Sequence, residues 1–445
     1  MGTKLFRLLE GLRANYWFLP SVLAAAAVLL AFASLALDRL IGPEWFRQFS
    51  WFHIGQPEGT RDLLSTVAGS MITVTGVVYS ITIVALSLAS QQFGPRLLYN
   101  FMRDRGNQLV LGTFLATYLY CLLIIRSISS GEQDFAPHLS EIVGLLLAIV
   151  SLGVLIYFIH HVAESIQANN IITRVSSELE KLIDRLFPEQ PPEHAHDRPL
   201  EKLPPSFARK AVPVRSTRQG YLQAIDIPGL VALASREDLL LRLLVRPGEF
   251  LVHEAPLALL YPWQRDGEEE LADRINSHFI IGSRRTQDQD VKLLLNELVE
   301  MAVRALSPGI NDPFTAISCS DHLGAALALL AGRPLHFPFH HDRKKRLRVI
   351  TKPPTYADLV GASFDQIRQF CRNNPQVTNS LLTAIARSLE FTQRQEQRRA
   401  LLQQAEMIRR GSREGLPEEA DRQAVEERYQ AILALGKEKF GLESS

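Results

Sequence analysis

Four long apolar blocks, near residues 18 to 37, 64 to 90, 108 to 126 and 139 to 159, run almost free of charge through the first third of the chain. Each reaches or approaches the roughly 20 residues that a helix needs to cross the hydrocarbon core of a bilayer. The pattern therefore predicts four transmembrane helices. After the fourth block, "HHVAESIQANNIITRVSSELEKLIDRLF" keeps its apolar residues at helical spacing, which predicts that the same helix continues as a stalk and ends before Pro188. Pro188, Pro191, Pro192, Pro199, Pro204, Pro205 and Pro213 then predict a stiff, extended linker over 188–213. Strand-like runs on either side of the helical "GLVALASREDLL", with a turn at Pro247-Gly248, predict a small β-subdomain over 214–265. Its hairpin is similar in spacing to that of lipoyl-like barrels but has no lysine at the turn, so a purely structural barrel is expected. From 266 to 445 the pattern is mainly helical, with one strand-like segment at "RLRVIT". The fold expected is an α-helical integral membrane domain with four transmembrane helices and a stalk (1–187), followed by a cytosolic α+β domain, mostly helical with a small β-subdomain.

Charge orients this arrangement. Lys4, Arg7 and Arg13 precede the first block, Arg96, Arg103 and Arg105 lie between the second and third, and Arg174 and Lys181 follow the fourth. The loop between the third and fourth blocks carries Glu132 and Asp134 instead. Positive charge favours the cytoplasmic side, so both termini are expected there. The first block is long for the core of a signal peptide and is read as an uncleaved anchor; the remaining topology is the same either way. With 48 Lys+Arg against 47 Asp+Glu, the chain lacks the basic excess that would point to nucleic acid. Cys121, Cys319 and Cys371 are too few and too scattered for a disulfide framework or a zinc site, which suits a reducing compartment.

The second block, "STVAGSMITVTGVVYSITIVALSLAS", is rich in hydroxyls and glycine. Thr66, Gly69, Thr73, Gly76, Ser80, Ile83, Ser87 and Ser90 follow steps of three and four and so share one face of a helix. Two uses fit: close helix packing, with hydroxyls bonding across the contact or to their own backbone, or a narrow polar pore lined by several copies of the helix. An oligomer could serve both. Near the middle of each block there is no carboxylate, histidine or lysine, the groups that proton relays and ion-coupled carriers keep near the bilayer midplane. Coupled transport is disfavoured.

"RALSPGINDPFTA", Arg304 to Ala316, has a backbone task for most of its residues. Pro308-Gly309 makes a turn, and Asp312-Pro313 supplies an N-cap followed by proline at the first helical position. That describes a rigid corner between two helices. Asn311 is not explained by it, and neither is "GSRRTQDQD" at 282–290; a pocket in which Arg284, Arg285, Asn311 and Asp312 hold a small anion at a helix start is the alternative. "HFPFHHD", His336 to Asp342, has metal-ligating residue types, but the basic run Arg343 to Arg348 follows it, and a surface hairpin is expected, with the basic run as a solvated strand end or a contact for anionic lipid. Phosphate loops, nucleophile elbows and HExxH patterns are missing, so no catalytic residue, cofactor or metal ligand is assigned.

Four apolar blocks with a Ser/Thr-rich second one, "SLASQQFGPRLLYNFMRDRGNQLVLGTF" after it, "RTQDQD" and "RALSPGINDPFTA" together resemble a family of bacterial inner-membrane proteins known only as a domain of unknown function. The resemblance runs over most of the chain. It implies an integral membrane protein in contact with the lipid bilayer, and it implies no activity, cofactor or catalytic residue. Two functions are expected: an oligomeric channel-like or transport-related protein with a cytosolic assembly and gating domain, or a membrane-tethered sensor or scaffold that binds a small anionic ligand.

Overall fold

The computed structural model describes residues 17–41, 57–94, 104–128, 137–189, 195–196, 203–262, 268–335 and 337–438. Lys4, Arg7, Arg13, Arg96, Arg103, Glu132, Asp134, Pro191, Pro192, Pro199 and His336 lie outside them. The chain divides into two compact units, Met1–Asn170 and Ile171–Ser445.

The first unit is built from α1 (Phe18–Ile41), α2 (Pro57–Phe93), α3 (Arg105–Ser127) and α4 (His138–Ser165). Alanine and leucine dominate α1, and both are strong helix formers. Asp104 caps α3 by accepting from the Gly106 and Asn107 amides at 2.7 and 3.4 Å. Pro137 stands at the N-cap of α4 and has no side-chain hydrogen bond to give it. Asp38, at the far end of α1, does this instead: its carboxylate accepts from the Leu139 and Ser140 amides at 2.8 and 3.0 Å and from the Ser140 hydroxyl at 2.6 Å. Ser34, Tyr120 and Ser140 extend the network, and Thr60 of α2 donates to Glu141 at 2.7 Å. At the other end of the bundle His161 of α4 meets Asp104 at 3.0 Å. Midway, the Thr117 and Ser151 hydroxyls pair at 3.0 Å.

Large apolar side chains of this unit point outward, among them Phe32 at 63% and Ile156 at 66% exposed. A water-soluble protein does not show so much contiguous apolar surface, and lipid is the solvent that suits it. Five described helices are long and apolar enough to cross a membrane. Four are α1 to α4; the fifth, α10 (Pro313–Gly332), belongs to the second unit and packs its Ala316, Leu323, Leu327 and Leu330 in a core.

The single stalk helix expected from the sequence is two helices. α4 ends at Ser165, and α5 (Ala168–Leu186) starts after a break at Ile166 and Gln167. The Asn170 side chain marks the break by donating to the Glu164 carbonyl at 2.9 Å.

The second unit continues with β1 (Ala195–His196), α6 (Phe207–Lys210), β2 (Val212–Arg215), β3 (Gly220–Ile225), α7 (Ile227–Arg236), β4 (Leu240–Leu243), β5 (Phe250–Leu251) and β6 (Pro256–Tyr261). α8 (Glu268–Asn276), β7 (Phe279–Gly282), α9 (Val291–Ala305), α10, β8 (Phe339–His341) and β9 (Leu347–Ile350) follow. The chain closes with α11 (Tyr356–Phe370), α12 (Pro375–Glu390), α13 (Gln395–Gly415) and α14 (Glu419–Glu438). The strands form two sheets, β1-β8-β9-β4-β6-β2 and β5-β3-β7, rather than one barrel. Leu222, Leu241, Leu257, Phe279 and Val349 bring both sheets into one core. The parallel pairing of β4 with β9 joins residues more than a hundred positions apart, so the sheet region extends beyond the 214–265 expected. Pro213, expected in an extended linker, sits in β2 at the sheet edge, where a missing N–H costs no ladder bond.

The basic run at 343–348 is also more than a solvated strand end. It closes the β8–β9 hairpin, and Arg348, 7% exposed, is paired at 2.8 Å with Asp342, 5% exposed. Partial burial would raise the Asp342 carboxyl, but Arg348, the Arg346 and Lys344 amides and the Ser235 hydroxyl outweigh it and hold it at about 2. Removing one partner strands a buried charge, which costs about 3–5 kcal/mol. Arg348→Ala is therefore expected to lower stability by an amount of that order, read as a large drop in melting temperature of the purified full chain, whereas Arg343→Ala, at an exposed position, is expected to leave it unchanged.

Candidate functional site

The hydroxyl stripe of α2 stands on the outside of its bundle. The helix packs through the face that carries Leu64, Ala68, Val78, Ala85 and Ala89, all buried. Thr66, Gly69, Thr73, Gly76, Ser80 and Ser87 are exposed, and a Cβ added at Gly69 or Gly76 would meet nothing within 4 Å. Thr66, Thr73 and Ser80 each donate to the carbonyl four residues back, at 2.8, 2.9 and 2.8 Å. These bonds satisfy the donors inside the helix, as apolar surroundings require. Among the described residues the Ser87 hydroxyl makes no hydrogen bond.

The "RALSPGINDPFTA" motif is a corner between α9 and α10. Asp312 caps α10, accepting from the Thr315 amide at 3.1 Å and the Thr315 hydroxyl at 2.6 Å. Asn311 has a φ of 50°, and its amide donates to the Ser307 carbonyl at 2.9 Å. Asparagine is among the few residues that take the left-handed region readily, so the corner explains the residue that the sequence alone left unexplained. The motif's unexplained side chain is instead Phe314, 73% exposed.

Arg284 and Arg285 stand at the other end of α9, whose 15 residues span about 22 Å. The geometry does not bring them together with Asn311 and Asp312. Arg285 is closed onto Asp290 at 2.6 Å. The Arg284 carbonyl accepts from the Gln223 amide at 2.8 Å. Gln289 imitates a neighbouring strand, accepting from the Ile225 amide at 3.0 Å and donating to its carbonyl at 3.1 Å. Gly248, at φ 94°, lies so close to Asp290 that a Cβ would stand 2.2 Å from its carboxylate. "RTQDQD" thus locks α9 to β3 and to the Pro247-Gly248 turn.

That junction borders a cavity of about 300 Å³ in the second unit. Val245, Val291, Leu335 and Phe337 supply apolar wall; Arg246, Lys292, Lys352 and Asp290 supply charge. Arg246 donates to Asp358 at 3.0 Å and pairs with Glu249 at 3.2 Å. Burial and the neighbouring Arg246 guanidinium lower the Lys292 ammonium from its ordinary value. Burial, reinforced by His341, pushes the His340 imidazole in the cavity wall down to about 4, and its Nε2 lies 3.3 Å from the Thr351 hydroxyl. Among the described residues no group of three His, Cys, Asp or Glu is placed to hold a metal ion.

Sequence reasoning missed this cavity. Its signal was Lys292, a lone lysine entering the otherwise apolar run "VKLLL", together with Lys352-Pro353-Pro354 sixty residues on.

Residues 13–387 match the model of a family described as "Predicted membrane protein (DUF2254)". The chain belongs to this family. Among its relatives are the uncharacterized proteins Rv1290c of Mycobacterium tuberculosis and Mb1321c of Mycobacterium bovis, each 31% identical over 429 residues, covering 94% of this chain and 80% of the relative. No solved structure matches the chain. Membership in a predicted membrane protein family agrees with the outward apolar side chains of α1 to α4 and brings no activity with it.

Two measurements check this account. Asn311→Gly keeps the left-handed φ and is expected to be nearly neutral, whereas Asn311→Val places a branched side chain there and is expected to cost about 1–2 kcal/mol, read in the melting temperature. For His340 the folded value, about 4, lies below the ordinary 6.5. The unfolded chain therefore binds a proton that the folded chain refuses, so this contribution is full above pH 6.5 and is lost as pH falls toward 4. Melting temperatures across that window should fall for the native chain and fall less for His340→Gln.

Proposed function

We propose that this is an oligomeric, channel-like or transport-related protein of the bacterial inner membrane. In this reading residues 1–187 form the membrane domain with its stalk, α1 to α4 cross the bilayer, both termini are cytoplasmic, and the chain beyond residue 187 serves as the assembly and gating module. The observation that carries it is the open face of α2. Small residues let two helix backbones approach closely, and Gly69 and Gly76 leave that space unused within the single chain. The hydroxyls bonded to their own helix keep lone pairs free, and Ser87 has no partner among the described residues; water or a neighbouring copy of α2 would satisfy both. After Asp62, α2 has no carboxylate, histidine, lysine or arginine, which favours passive conduction over coupled transport.

A second reading, a membrane-tethered sensor for a small anionic ligand, is favoured by the cation-lined cavity rather than by the Asn311 corner. It requires no pore.

Gly69→Leu combined with Gly76→Leu would fill the open face. The expected result is a smaller assembly by native mass spectrometry of the detergent-purified chain, and flux of small ions through proteoliposomes reduced about tenfold or more, since side-chain bulk acts directly on the helix contact or the path. A native chain that stays monomeric and passes neither ions nor small solutes removes the channel reading.

A further inference from the structure

We propose that the cavity at the start of α9 binds a small organic anion: a carboxylate or phosphate monoester on a compact apolar body of about one ring. The site deepens the sensor reading and is independent of any pore.

Charge around the cavity is left unbalanced toward the positive. Three cations, Arg246, Lys292 and Lys352, line it. Two carboxylates serve them, and both are drawn to Arg246, Asp358 at 3.0 Å and Glu249 at 3.2 Å. The two lysines are left with long contacts, Lys292 to Asp358 at 3.9 Å and Lys352 to Glu249 at 4.0 Å. Lys352 also donates to the Leu244 carbonyl at 3.1 Å. Lys292 donates no hydrogen bond among the described residues, although its side chain is only 25% exposed. A partly desolvated ammonium with unused donors is costly, and an anion in the cavity would remove that cost.

Asp290, the remaining carboxylate of the wall, is closed on by Arg285 at 2.6 Å and acts on Lys292 only through space, so it does not occupy the ammonium's donors. The rest of the wall is apolar, with Val245, Leu335 and Phe337 suited to a hydrocarbon or ring rather than to a bare hydrated ion. At about 300 Å³ the space is at the lower end of small-molecule sites, which excludes a two-chain lipid.

The test uses the full chain in lipid nanodiscs, titrated by calorimetry with phenyl phosphate, benzoate, inorganic phosphate and phenol. Saturable binding of at least one of the aryl anions is expected, with phenol and inorganic phosphate weaker by about tenfold or more, since each lacks half of the match. Lys292→Met keeps the apolar stem and should weaken the aryl anion about tenfold with an unchanged melting temperature. If that variant does not fold, Lys352→Met, at a more exposed position, gives the same comparison. The proposal is overturned if neither aryl anion binds, if phenol or inorganic phosphate binds as tightly, or if the folded lysine variant binds unchanged. Flux measured on the same preparations keeps the readings apart: binding without flux removes the channel and leaves this site, while flux without binding does the reverse.

Discussion

A helix that begins in apolar surroundings must find partners for its first amides, and α4 begins with a proline that offers none. Asp38 supplies the answer from another helix. Its carboxylate faces the positive end of α4, where a negative group is favoured, and it ties the end of α1 to the start of α4 across a hundred residues of sequence. Through Ser140 the same contact reaches Ser34 and Tyr120, so three helices are registered by one connected set of hydrogen bonds. Where no water competes, such a set is worth more than the same bonds at a surface. With the ends fixed in this way, the remaining faces of α1, α2 and α4 are free to be wholly apolar or small, which is what they are. The side-chain amide of Asn107, buried near Asp104 with no hydrogen-bond partner, stands outside this accounting.

The second unit solves a different problem. Its sheets take strands from widely separated segments, and the parallel β4–β9 pair spans a stretch of chain that includes α9 and α10. The polar side chains that hold this assembly, Gln289 on β3, Asp290 against Gly248 and Arg348 on Asp342, all act at places where a helix or turn meets a sheet. The cavity lies at one such meeting. Its lysines come from the start of α9 and from two residues past the end of β9, and both line it.

What could be read from the chain follows the range of the physics involved. Apolar length and helical periodicity are local, so four apolar helices, the Asp312 cap and the α9–α10 corner were legible from short windows of sequence. The break at Ile166 and Gln167 was not, because the apolar spacing continues straight through it. Asp38 drew no reading from the sequence, since its role depends on Pro137, far along the chain. Arg348 looked solvated among basic neighbours, because burial by β4 and α7 is a tertiary fact. Arg284 and Arg285 were grouped with Asn311 by residue type alone, and a helix of 15 residues holds them apart.

The two units also divide the chemistry between them. Acidic, basic and histidine side chains of α1 to α4 sit near helix ends: Asp38 and Arg39, then Glu58, Arg61 and Asp62, then Arg105 and Arg126, then His138, Glu141, His160, His161 and Glu164. The 23 residues of α3 alone give about 35 Å, enough to keep its two arginines on opposite sides of a hydrocarbon core. A path along the α2 stripe would therefore meet hydroxyl dipoles and no fixed charge, and could discriminate by size and hydration but weakly by sign. Unevenly paired cations lie instead in the second unit, where Lys292 and Lys352 have only long carboxylate contacts. A preference for anions would therefore have its source in those side chains and not in the α2 stripe.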